Sequence, residues 1–311
     1  MKRKSFVLVL ILSMLLNSCA GKKTKDERLR EGDNSGQSTT MTVEDEKRMT
    51  AKYMPEMEKQ YPKHKSVELQ AYVEKIGRKL VTLNKLEGNP YHYTFTAVDV
   101  NYVNAFALPA GTIFVTAPLI KMTENESELA GVIGHEIGHV KARHTAERID
   151  AEEKGQTKNI LTNIGGGLLG GALGYALGNK LCKKGDTACI AKAAVAGAAV
   201  GVGGTLLVQK YAFFANSRED EMEADRIGFR VATGAGYSKD HVGKFYEKLF
   251  NMEKASKGSS SGIEKSLADA MSTHPPSEER VKQMNDMSLQ LPANSSAIIE
   301  TQEHAGIKKK I

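Results

Sequence analysis

Between residues 65 and 83 the apolar positions Val67, Leu69, Tyr72, Val73, Ile76, Leu80 and Leu83 fall mostly on one stripe. A period near 3.6 predicts an amphipathic helix there. Residues 43–60 are highly charged and also helical in pattern, and Gly88-Asn89-Pro90 ends the helical region. The period then drops to two. Residues 91–100 alternate and are rich in aromatic and β-branched side chains, which predicts a strand. Residues 104–108 and 112–116 predict two more short strands, joined by Pro109-Ala110-Gly111. Helical spacing returns at Leu129, Val132, Ile133, Ile137 and Val140, behind a capping box expected from Thr123 and Glu126. The small sheet ahead of this helix either supports it or offers an edge to an extended peptide.

Farther on, small residues recur every fourth position: Gly166, Gly170, Gly174 and Gly178, then Ala193, Gly197, Gly201 and Thr205. That spacing makes a smooth face for close helix–helix contact, so residues 160–208 predict a helical hairpin. The hairpin either packs on the folded body or enters a bilayer; Asn163 and Lys192 interrupt its arms, which favours packing. An acidic helix is expected from Ser217 to about Thr233, stopped by Gly234 and Gly236. Another runs from Ser238 to about Lys254, and a last one from about Ser277 to Met287. Residues 291–311 are polar and expected to fray. The pattern is mainly α with a small β-sheet, an α+β class.

Composition changes this picture chiefly at the N-terminus. The chain has 311 residues and a formal charge of +6, three charges of which come from Lys2, Arg3 and Lys4. An apolar stretch from Phe6 to Leu16 follows, too short to span comfortably, and then Leu16-Asn17-Ser18-Cys19. Residues 1–18 read as a secretory signal resembling that of bacterial lipoproteins, with Cys19 as the lipid-modified residue; a plain secretory signal is the alternative. Residues 19–41 read as a flexible tether, 42–88 as N-terminal helices packing on the core, 89–290 as the main domain and 291–311 as a polar tail. The anchor implies the cell envelope, with the outer membrane facing the periplasm as the expected destination. Cys182 and Cys189 form an even pair, which in an exported chain suggests a disulfide, with two free thiols as the alternative. No basic face stands out, so nucleic acid is not an expected partner.

The chemistry is concentrated in His135-Glu136-Ile137-Gly138-His139. On a helix, residues four apart share a face, so His135 and His139 converge on one point suited to zinc. Glu136 stands beside it, placed to take a proton from an activated water, which is the metalloprotease arrangement. Two surface histidines on an ordinary helix would be the bland reading. Gly131, Gly134 and Gly138 are poor helix formers, and in this setting they predict close approach of another backbone or a ligand. A third ligand is offered downstream by Glu221, with Asp225 one turn later to orient a liganding imidazole. By itself that acidic run equally fits a solvated helix face. His144 lies one position off the His135/His139 stripe and reads as structural.

HExxH followed, across a glycine- and alanine-rich segment, by Ser217-Arg218-x-x-Glu221-x-x-Ala224-Asp225 resembles the zinc metalloendopeptidases of the HtpX and CAAX prenyl protease type. The strand–turn–strand segment Asn104-Ala105-Phe106-Ala107-Leu108-Pro109-Ala110-Gly111 resembles that of their exported, periplasmic members. The resemblance implies a zincin-like core with the glycine-rich hairpin as an insertion. It implies one Zn2+ per chain held by His135, His139 and Glu221, with Asp225 behind a ligand. His274-Pro275 with Arg280 resembles an H-P-x-x-x-x-R segment of those exported members, in which the histidine can approach and occlude the zinc. His274 is thus implied as a movable fourth ligand or a donor to the reacting group, with Arg280 as a nearby cation. The implied function is a zinc endopeptidase acting on exported or misassembled polypeptides, with the outer-membrane protein assembly machinery as a partner. A zinc-containing, chaperone-like binding module is the alternative. A hairpin-anchored membrane protein with an incidental HExxH is a third reading.

Overall fold

Three strands form one small mixed sheet, and helices cover both of its faces. The computed structural model describes residues 39–153, 216–256, 267 and 270–311. The signal, Cys19, most of the tether, the 160–208 hairpin, and Cys182 and Cys189 lie outside the described residues. Helix α1 (Val43–Gln60) opens on a capping box in which the Thr42 hydroxyl accepts from the Asp45 N–H and the Asp45 carboxylate accepts from the Thr42 N–H. Helix α2 (Val67–Leu83) buries the expected stripe, Leu69, Tyr72, Val73, Ile76 and Leu80, while the end positions Val67 and Leu83 stay exposed. Strands β1 (Thr94–Val98), β2 (Ala105–Leu108) and β3 (Thr112–Thr116) run in the order β1-β3-β2. β1 is parallel to β3, and β2 is antiparallel to it. The β2–β3 turn needs left-handed backbone at Ala110 (φ 65°) and Gly111 (φ 99°). Glycine takes such angles freely and alanine does not.

Alternation along the strands divides the core in two. Phe95, Ala97, Ile113 and Val115 point into the main core with α2 and the histidine-bearing helix. Val98, Phe106, Leu108 and Phe114 point the other way, against Met57 of α1 and Tyr61. The outer edge of β1 is sealed by α2. Gln70 Nε2 donates to the Ala97 carbonyl at 2.6 Å and its Oε1 accepts from the Ala97 N–H at 3.1 Å. Such side-chain cover removes a free pairing edge. β2 forms the opposite edge of the sheet.

After the short α3 (Ala117–Met122) comes α4 (Glu126–Lys141), buried along almost its whole length. Its cap differs from the expected one. Asn125, not Thr123, is the N-cap, and its side chain accepts from the Glu128 N–H. Thr123 closes α3 instead, donating from its hydroxyl to the Ile120 carbonyl. Helix α5 (His144–Glu153) follows after a sharp turn, and α6 (Arg218–Gly234) packs along α4. The contact is made backbone to backbone. A Cβ on Gly138 would lie 2.7 Å from the Ala224 carbonyl oxygen, and one on Gly228 would lie 2.6 Å from the His135 nitrogen. Helix α7 (Lys244–Ser256) starts later than expected, because residues 239–243 form turns after Ser238. Helix α8 (Glu278–Gln290) is capped by Ser277.

The tail differs most from expectation. Residues 291–311 do not fray. The Ile298 N–H donates to the Gly236 carbonyl, the Ser238 N–H to the Ile298 carbonyl, and the Ser127 N–H to the Ile299 carbonyl. Helix α9 (Gln302–Lys308) then buries His304, whose Nε2 lies 3.1 Å from the Thr123 hydroxyl. Among the described residues no helix is long and apolar enough to cross a membrane.

Candidate metal centre

The α4–α6 contact brings two helix faces together at ligand distance. His135 and His139 stand one turn apart on α4, with their Nε2 atoms 2.9 Å from each other. On α6 the capping box of Ser217 and Asp220 fixes the first turn, which presents Glu221 and Asp225 to α4. Glu221 Oε2 lies 3.3 Å from His135 Nε2, and Oε1 lies 3.2 Å from His139 Nε2. A fourth group arrives from residues 270–274: His274 Nδ1 is 3.0 Å from Glu221 Oε1 and 3.3 Å from His135 Nε2. One ligand atom from each of His135, His139, Glu221 and His274 lies within 4.8 Å of all the others, and all four side chains are buried. Ligands about 2.0–2.1 Å from a tetrahedral zinc stand roughly 3.3 Å apart, so the cluster has the right size and donor set. Its bonding also fits. Glu221 Oε2 is a buried carboxylate oxygen without an aligned hydrogen bond, and two imidazole nitrogens meet at 2.9 Å, an approach that a shared cation would stabilise.

Behind these four groups stand residues that hold them. Asp225 Oδ1 is 2.8 Å from His135 Nδ1, in contact though without straight N–H···O alignment. Arg280 is 1% exposed and forks onto Asp225 with two contacts of 2.7 Å, while its Nη1 reaches Glu221 Oε2 at 2.8 Å. The guanidinium also lies over the Tyr246 ring, 4.7 Å from its centroid. Arg280 therefore faces the two carboxylates rather than open solvent. Asn216, just ahead of the α6 cap, donates from Nδ2 to Glu221 Oε1 at 2.7 Å, and Arg148 holds its Oδ1. His139 Nδ1 meets His144 Nδ1 at 2.8 Å.

Electrostatics follow from this enclosure. Burial would push the Glu221 carboxyl up, but His274, Arg280 and His135 together hold it well below the usual carboxylate range. Asp225 is likewise held down by Arg280 against its burial. Burial opposes charge on His135, yet Glu221 and Asp225 outweigh it and raise its pKa to about 9. His139 is pushed well below its ordinary value by burial and by His135 beside it. Glu136 goes up, chiefly by burial, and its Oε1 lies 3.5 Å from His274 Nε2.

Sequence reasoning singled out His135, Glu136, His139, Glu221, Asp225, His274 and Arg280, and these seven share one buried neighbourhood. It passed over Asn216, Arg148 and Tyr246 and left His144 as structural. Helical offsets carry no signal for Asn216, which precedes its helix, or for Arg148 and Tyr246, which arrive from other helices.

Comparison with known proteins agrees with this geometry. The model of Peptidase family M48 matches residues 68–288. The beta-barrel assembly-enhancing protease of Escherichia coli (strain K12) is 25% identical over 254 residues, covering 82% of this chain and 47% of that protein. Its counterpart in Yersinia pestis is 29% identical over 210 residues, covering 68% and 38%. The mitochondrial metalloendopeptidase OMA1 of Arabidopsis thaliana is 32% identical over 185 residues, covering 60% and 29%. The chain thus spans about half the length, or less, of these relatives. With most of its length matched and a buried His-His-Glu cluster at the heart of the matched region, the chain belongs to peptidase family M48.

Proposed function

We propose that this chain is a zinc-dependent endopeptidase of the bacterial cell envelope that cleaves exported or misassembled proteins. The observation that carries the reading is the convergence of His135, His139 and Glu221 on one buried point, with Glu136 beside it. The beta-barrel assembly-enhancing proteases among its relatives support a role in envelope protein quality control. In this reading one Zn2+ is held by the two imidazoles and the Glu221 carboxylate. The metal supplies Lewis acidity, polarising a peptide carbonyl and acidifying water. Glu136 takes the proton of the attacking water and returns it to the leaving amine. Its raised pKa suits a group that must hold a proton between two steps. Asp225 and Arg280 fix ligand orientation. In this reading an extended substrate segment pairs with the β2 edge of the sheet. Cys19 carries the lipid that tethers the domain to the outer membrane, facing the periplasm.

His274 adds restraint. Its Nδ1 stands where a fourth ligand would, and its Nε2 points toward Glu136. Substrate entry therefore requires His274 to withdraw. That arrangement is also the observation favouring the second reading, a zinc-holding binding module with little proteolysis.

One comparison tests both. Wild type, Glu136→Gln and His274→Ala are assayed for zinc content and for digestion of an unfolded protein. Glu136→Gln should retain zinc and lose cleavage by a factor on the order of 10²–10⁴. Undiminished cleavage would sink the assignment, and a zinc-loaded wild type inert toward every polypeptide would leave the binding module. Faster digestion by His274→Ala is expected of a restraining histidine; slower digestion would make it a catalytic donor instead.

A further inference from the structure

His135 and His139 are each held from behind, but by unlike groups. The outer nitrogen of His135 faces the carboxylate of Asp225, whereas that of His139 faces another imidazole, His144 Nδ1, at 2.8 Å. Both rings of the second pair are buried, His139 at 5% exposure and His144 at 1%, and they meet at 73°. We propose that His144 is a positioning residue that fixes the tautomer and tilt of His139, so that its Nε2 stays bare and aimed at the metal. The proposal rests on the zinc reading above.

The proton positions follow from elementary bookkeeping. His139 presents Nε2 to the ligand cluster, so that nitrogen must be bare and the ring's one proton sits on Nδ1. A hydrogen bond at 2.8 Å then requires His144 Nδ1 to be the acceptor. His144 in turn keeps its proton on Nε2, which faces Glu223 Oε2 at 3.4 Å and Asp220 Oδ1 at 3.8 Å. One chain of donors and acceptors therefore runs from the α6 acids through His144 to His139, and it admits a single tautomer at each ring.

A turn in the backbone allows this contact. A helix continued through residue 144 would carry His144 off the His135/His139 stripe. α4 ends instead, with the Ala142 N–H donating to the Gly138 carbonyl at 2.9 Å, and Arg143 adopts a left-handed φ of 59°. Arginine takes that conformation reluctantly. Its side chain is tied on both sides: Nε donates to Glu46 Oε1 at 2.7 Å, and Nη2 donates to the Met41 carbonyl at 2.5 Å. Glu46 is itself buried and accepts from the Tyr91 hydroxyl at 2.9 Å. The N-terminal segment thus holds the turn that brings His144 back against His139.

The test compares the full-length protein with its His144→Leu and His144→Asn variants. Each is titrated with zinc in competition with a chromogenic chelator at one pH. Leucine fills the site but accepts nothing, whereas the Asn side-chain oxygen sits close to where Nδ1 sat and accepts from His139. We expect zinc to bind about 10–100-fold more weakly to His144→Leu and near wild-type strength to His144→Asn. Unchanged affinity in His144→Leu, or equal weakening in both variants, would overturn the positioning role and leave His144 as filling. A wild type that takes up no zinc would overturn this inference together with the metal reading, whereas unchanged affinity in His144→Leu leaves that reading standing.

Discussion

Arg280 decides whether two carboxylates can share the interior of this protein. Glu221 and Asp225 are buried one helical turn apart on α6, and like charges so placed would drive one of them to take a proton. The guanidinium spans both, forking onto Asp225 and touching Glu221. Arg280→Met keeps the volume and removes the cation. Stripping a buried ion pair of one partner costs about 3–5 kcal/mol, so the variant should unfold at markedly lower urea concentration than wild type when both are metal-free. Arg280→Lys should recover only part of this, because one ammonium cannot make the planar two-oxygen contact. An Arg280→Met variant as stable as wild type would show that Arg280 does not offset this charge. At this scale the sequence was informative where contacts follow helical offsets, as with His135 and His139, or Glu221 and Asp225. It was mute where a side chain crosses between segments. Nothing in the spacing of Asn216, Arg148 or His144 announces the atoms they meet: Asn216 and His144 reach theirs from outside the helical run that holds Glu221 or His139, and Arg148 arrives from another helix.

At the scale of elements, the contact between α4 and α6 builds the site. Gly138 and Gly228 remove the side chains that would hold the helices apart, and the distance so gained is what brings Glu221 to the two imidazoles. A Gly228→Val substitution should therefore act on both fold and site. Its Cβ would meet the His135 backbone nitrogen at 2.6 Å, an overlap that backbone cannot absorb without the helices separating. Overpacking of this kind costs about 1–3 kcal/mol, and a shift of even a fraction of an ångström opens the ligand set. Thermal unfolding of the zinc-free protein and zinc titration should both report the change. Unaltered zinc affinity would show that the helix contact does not set the ligand spacing. The glycines of α4 were legible as a sign of close approach, although the sequence could not name α6 as the partner. The helix boundaries were less so. Thr123 with Glu126 and Asn125 with Glu128 are both plausible starts for α4, and the choice falls to Asn125 because Thr123 is already engaged in ending α3.

For the molecule as a whole, the site is the meeting point of segments distant in sequence. α4 supplies two imidazoles, α6 a carboxylate, and residues 270–280 His274 and Arg280. The tail pins the far end of α4 through Ser127, while the buried Glu126 carboxylate gathers the hydroxyls of Tyr72, Tyr237 and Thr301. Polar composition hid that tail, because it is anchored by backbone groups of Ile298 and Ile299 and by polar side chains such as Thr301 and His304, none of which an apolar pattern reveals. On the zinc reading, a metal joining α4 to α6 would bind the folded chain and not the unfolded one, so its binding energy would add to stability. At a free zinc concentration 100 to 1,000 times the dissociation constant the gain is about 2.7–4.1 kcal/mol. A domain of this size shifts its melting midpoint by roughly 2–4 °C per kcal/mol. Chelation should therefore lower the midpoint by about 5–16 °C, and added zinc should restore it. Glu136→Gln should respond like wild type, since it leaves the ligands intact, whereas Glu221→Gln should lose most of the response. A midpoint indifferent to chelator and zinc in the wild type would mean that no metal bridges the two helices, and the buried histidines would then be held by their protein partners, Glu221, Asp225 and His144 among them.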